Sequence, residues 1–140
     1  MAAHRLTSLR VPWLRVFLAG LALVSCRAAP ERVATARAQA WLSTMDAGNY
    51  AQGWAAAAPY LQRAAPKEQW EVSMNRVRAP LGRVLSRTTR SATATRTAYN
   101  DPCVIVELDT AFEHKPSAVE TVTLMPAPDG EWKVAGYYIK

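Results

Sequence analysis

The sequence predicts an α+β domain: N-terminal helices packed on one face of a curved antiparallel sheet of about four strands, behind an N-terminal signal peptide. Three observations predict it. Apolar residues recur at helical spacing as far as Arg78. After Gly82 the period shortens to two, in runs rich in Thr and Val. A basic stretch and a short apolar run precede both.

The leader comes first. Arg5, Arg10 and Arg15 run into the apolar segment Val16 to Val24, and no acidic residue precedes Glu31. That segment is about half the ~20 residues a membrane-crossing helix needs, which favours a signal peptide over an uncleaved anchor. No twin-Arg pair is present, so the general secretion route is expected. Leu23-Val24-Ser25-Cys26 resembles the bacterial lipobox. That resemblance implies diacylglycerol, with its palmitate, on the Cys26 thiol and cleavage just before it. The alternative is cleavage near Ala28-Ala29 by the ordinary signal peptidase. The expected division is 1–25 signal peptide, 26–31 lipidated Cys and short tether, and 32–140 a single domain. Arg27 follows the Cys where an Asp would favour inner-membrane retention. The expected place is therefore the cell envelope, lipid-anchored in the outer membrane and facing the periplasm where the host has one.

Composition limits the rest. The 140 residues are half hydrophobic and one-fifth charged, which excludes a disordered tail or a collagen. The net charge of +6 falls to +3 once residues 1–25 and their three arginines are removed, so no nucleic-acid partner is expected. Cys103 then remains as the ordinary thiol, within the apolar run Cys103–Val106, where a buried inert thiol is expected.

The first helix is expected from about Glu31 to Ala47, with Pro30 at its start. Val33, Ala40, Trp41 and Met45, with Ala34, Ala38 and Leu42, follow its period. Asp46-Ala47-Gly48-Asn49 stops it. A second helix runs from Tyr50 to Ala58, and Pro59 and Pro66 bracket a break or a kinked continuation. A third spans about Lys67 to Arg78, with Trp70, Met74 and Val77 as its apolar stripe.

Residues 83–97 read as one long or interrupted strand, and Tyr99-Asn100-Asp101-Pro102 as a turn. In the strand Cys103 to Phe112, Val104, Val106, Leu108, Thr110 and Phe112 share one face, and Ile105, Glu107, Asp109 and Ala111 the other. A strand from Ala118 to Met125 is joined through Asp129-Gly130 to a last strand, Glu131 to Ile139, as an antiparallel hairpin. On the last strand the Trp132-Val134 face is expected to meet the helices, leaving Tyr137 on the open side.

From Ala38 to Lys140 the chain resembles the bacterial family catalogued as domain of unknown function 4019. The resemblance rests on Ala40-Trp41-Leu42 with Asp46 and Gly48-Asn49-Tyr50, on Trp54 and Trp70, and on Arg78-Ala79-Pro80-Leu81-Gly82 with Ser86-Arg87. It continues through Glu120-Thr121-Val122-Thr123-Leu124, Asp129 to Val134 and Ala135 to Ile139. It implies the cone-shaped α+β fold shared by nuclear transport factor two, ketosteroid isomerase and limonene-epoxide hydrolase. It implies no established activity.

No nucleophile elbow, Walker loop, dinucleotide fingerprint or zinc-ligand spacing occurs, so no catalytic residue, cofactor or metal is assigned. His114 stands beside a turn and reads as a solvent-exposed loop residue. The candidate ligand-binding residues are Glu107, Asp109, Glu120 and Arg87. Carboxylates facing into a cone would be partly desolvated and suited to proton transfer. The competing reading sends Val104, Val106, Leu108 and Phe112 to the core and leaves Glu107 and Asp109 in water. Arg78, Arg83 and Arg87 are available to pair with these carboxylates across strands. The expected function is a membrane-anchored envelope lipoprotein acting as a non-catalytic module for a small ligand or a protein partner. The alternative is a small isomerase or hydrolase using carboxylates in a cone-shaped pocket.

Overall fold

A computed structural model describes residues 28–140, and the leader and Cys26 lie outside the described residues. The elements run α1 (Pro30–Asp46), α2 (Tyr50–Ala55), α3 (Pro59–Ala64) and α4 (Lys67–Val77), then a single 3-10 turn (Ala79–Leu81). The strands follow: β1 (Val84–Arg96), β2 (Pro102–Phe112), β3 (Lys115–Pro126) and β4 (Trp132–Ile139). They form one antiparallel sheet in sequence order, and the helices cover one of its faces. This is the predicted α+β architecture.

The segment between Pro59 and Pro66 is a helix of its own, where the sequence offered only a break or a kinked continuation. Pro59 at its first turn needs no intrahelical donor, so the proline starts a helix as readily as it interrupts one. The Ala58 amide just before it donates to the Val134 carbonyl at 2.8 Å, which covers part of the β4 edge.

Helix α1 buries Ala34, Ala38, Trp41, Leu42 and Met45, its i, i+4, i+7 face. These side chains meet Val104, Val106 and Leu108 of β2 and Val122 and Leu124 of β3. Trp41 and Trp70 stand 6.1 Å apart at a tilt of 55°, and each indole N–H is satisfied by a backbone carbonyl. On α4, Trp70 and Met74 are buried, but Val77 is half exposed. The helix ends at that residue, beyond the last buried position at Met74, which corrects the predicted three-residue stripe.

The hairpin of β3 and β4 reverses at Ala127–Gly130, where the Gly130 amide donates to the Ala127 carbonyl at 2.8 Å. Gly130 adopts a φ of 81°, which the turn demands and glycine supplies without strain. One detail of β4 overturns the predicted alternation. Thr123 pairs with Gly136 and Leu124 with Val134, so Ala135 is an extra residue in a bulge. The bulge resets the two faces. Val134 faces the helices before it, and Tyr137, paired with the fully buried Val122, faces them after it. Tyr137 therefore packs against Trp41 edge-to-face at 5.2 Å, not on the open side, and its neighbour Tyr138 is the exposed one.

Candidate functional site

Four polar side chains, one from each strand, meet on the helix-facing side of the sheet, and Asp46 of α1 and Arg78 after α4 join them. Glu120 is the centre and has no exposed surface. It sits on β3 opposite Leu108 of β2, so strand pleating alone turns its carboxylate toward the helices. Three donors surround it. Arg87 Nε reaches it at 2.7 Å, the Thr110 hydroxyl at 2.6 Å and the Tyr137 hydroxyl at 2.5 Å. Arg87 faces inward because β1 has an irregularity between Val84 and Ser86, after which Arg87 pairs with the inward-facing Thr110.

The network continues outward through Arg87. Its terminal nitrogens hold both oxygens of Asp46, at 2.6 and 2.9 Å, in a fork-to-fork pair. Asp46 is the last residue of α1, where a carboxylate opposes the helix dipole, and two guanidiniums offset that cost. The second is Arg78, only 3% exposed, which reaches Asp46 at 2.9 Å and the Gly82 carbonyl at 3.0 Å. Arg78 also lies 4.5 Å above the centre of the Phe112 ring, and its Nε has no hydrogen-bond partner among the described residues. The order of charges is Arg78, Asp46, Arg87, Glu120, so each neighbour is of opposite sign and the four sum to zero.

These contacts set the titration of the members. Burial works to raise the Asp46 carboxyl, but hydrogen bonds and charge from Arg87 and Arg78 outweigh it and hold the group below its ordinary value. Burial, followed by the adjacent Glu120 charge, pushes the Tyr137 hydroxyl far above the usual phenol range. Asp46 is thereby held ionised and Tyr137 neutral near pH 7.

The sequence-predicted residues are thereby divided. Arg87 and Glu120 come together. Glu107 and Asp109 lie on the opposite face of the sheet, as the competing reading required. Asp109 is exposed and paired with Arg90 at 2.5 Å; Glu107 accepts from Ser91 at 3.2 Å. They share no site with Glu120, because neighbouring positions on paired strands alternate between faces. Arg83 pairs with Glu113 instead. His114 is exposed beside the Pro80 carbonyl. Cys103 is buried, and burial raises its thiol above the ordinary value, so it is poorly nucleophilic. The sequence reading missed Asp46, Thr110 and Tyr137 as members. Thr110 was recoverable, since it interrupts an otherwise apolar inward face. Tyr137 was not, because the bulge is invisible to alternation.

Outside the core, a cleft of about 270 Å³ lies between α1 and the start of β4. Trp41 and Val134 form its base, and Trp132 one wall. A shallower one of about 180 Å³ touches Asp109 and Thr88. Among the described residues no helix is long and apolar enough to cross a membrane, and no group of His, Cys, Asp or Glu is arranged to hold a metal.

A family described as "Protein of unknown function (DUF4019)" matches residues 37–137. No curated protein matches the chain. A solved 2.5 Å structure from Catenulispora acidiphila is 12% identical, with a TM-score of 0.52, over 78% of this chain and 88% of that one. At that identity the likeness is one of fold.

Proposed function

We propose that this chain, which belongs to the DUF4019 family, is a non-catalytic binding module held at the cell envelope by a lipid on Cys26. The observation that carries the non-catalytic half is the full burial of Glu120 among three donors. A general base needs a free lone pair in reach of a substrate proton. Glu120 is fully buried and already accepts from Arg87, Thr110 and Tyr137; of these, Thr110 borders the shallow cleft beside Asp109, and its hydroxyl is committed to Glu120. The cluster fastens α1 and the 3-10 turn to the sheet. Recognition then falls to the surface. The lipobox-like Leu23-Val24-Ser25-Cys26, at the end of an apolar run, supports the anchor, and the short segment to Pro30 keeps the domain near its membrane.

Two measurements test this. Palmitate incorporation is expected in the wild-type chain and lost in Cys26→Ser; labelling that survives the substitution removes the anchor. Native mass spectrometry of protein purified from its host is expected to show a retained molecule released chemically unchanged. Turnover of that molecule that disappears in Glu120→Gln would make the protein an enzyme.

A further inference from the structure

We propose that the cleft between α1 and β4 binds a small aromatic monocarboxylate, its ring on Trp132 and its carboxylate between Arg37 and Lys133. The inference rests on the binding-module reading above and gives it a site and a ligand class. The cleft of about 270 Å³ is close to the lower end of the roughly 300–1,000 Å³ typical of small-molecule sites, which limits the ligand to one ring and a short arm. Its base is Trp41 and Val134, and Trp132 is partly exposed along it. Ala40 on α1 and Ala56 after α2 are small and exposed, so neither fills the space between the helices and Trp132. An indole wall facing open space favours a flat partner over a branched one.

The polar rim gives the sign. Among the described residues, the charged groups that line the cleft are Arg37, Glu131 and Lys133, an excess of one positive charge. Lys133 is held 3.0 Å from Asp129, which belongs to the turn and does not line the cleft. Arg37 pairs with Glu131, and both side chains are about half exposed. Exposed pairs of this kind hold weakly, so an incoming carboxylate can exchange with either acidic partner. A guanidinium offers it two parallel donors. A cationic ligand would have Glu131 as its one acidic partner on the cleft and would face two cations, Arg37 and Lys133.

Calorimetric titration of the full chain uses phenylacetate as the probe, with phenethylamine and decanoate as comparisons. Phenylacetate is expected to bind at least tenfold more tightly than either. Lys133→Gln, on the rim, is expected to weaken phenylacetate about threefold or more. Ala40→Leu, which fills the cleft from an exposed helix position, is expected to abolish binding with the thermal unfolding midpoint unchanged. Tighter binding of phenethylamine overturns the assigned sign, and tighter binding of decanoate overturns the aromatic class. Unchanged phenylacetate affinity in Ala40→Leu, or no binding of phenylacetate at all, overturns the site. If native mass spectrometry still shows another retained molecule in that last case, the cleft assignment falls and the module reading stands.

Discussion

Arg87 donates to Glu120 through Nε at 2.7 Å while its two terminal nitrogens hold Asp46, so one guanidinium joins the middle of β3 to the end of α1. Removing Arg87 leaves the fully buried Glu120 without a cation. Arg87→Met is expected to lower stability by about 3–5 kcal/mol, the cost of leaving one partner of a buried pair uncompensated. The double variant Arg87→Met/Glu120→Leu is expected to lose less than the sum of its single changes, because no charge is then left unpaired between the two positions. Urea unfolding of the four proteins gives the coupling. Additive losses would mean that the pair does not act as a unit.

Tyr137 gives an alkaline signature. Burial, with the Glu120 charge beside it, raises its folded-state value well above the ordinary 10.0. The neutral phenol is thus the form the fold favours. Its contribution is fully present below pH 10 and is lost as pH rises beyond the unfolded value, where the unfolded chain sheds the proton first. The wild-type melting temperature is expected to fall more steeply above pH 10 than that of Tyr137→Phe. Parallel curves in that range would exclude the contribution.

Asp46 acts at the other end of the scale. Its folded carboxyl lies below the ordinary 3.8, because the pull of Arg87 and Arg78 exceeds the opposing effect of burial. The stabilisation is therefore present above pH 3.8 and lost as pH falls through the folded value. Asp46→Asn is expected to be less stable than wild type at neutral pH, with the difference shrinking below pH 3.8. A constant difference down to strong acid would show that the ion pairs with Asp46 contribute nothing.

Trp70 is 6% exposed, packs against Trp41 and donates its indole N–H to the Tyr50 carbonyl at 3.0 Å. Trp70→Ala leaves a cavity and removes that hydrogen bond. The expected loss is about 3–5 kcal/mol in chemical denaturation. A loss below about 1 kcal/mol would place this side chain outside the cooperative core.

The sequence by itself determined the order of the elements, the antiparallel hairpins and the inward faces of α1, β2 and β3. Each of those is a local periodic signal: Trp41 and Met45 recur one helical turn apart, and Val104, Val106 and Leu108 alternate without interruption. Glu120 was legible as a candidate, and so was its pairing with an arginine. Only the tertiary structure decided that Glu120 sits apart from Glu107 and Asp109, that Asp46 completes the charge alternation, and that Tyr137 turns inward. The physical reason is that each of these depends on register. The extra residue at Ala135 inverts every side chain that follows it on β4, and the contact between Arg87 and Asp46 spans 41 positions of chain. Periodicity within a segment carries no trace of either.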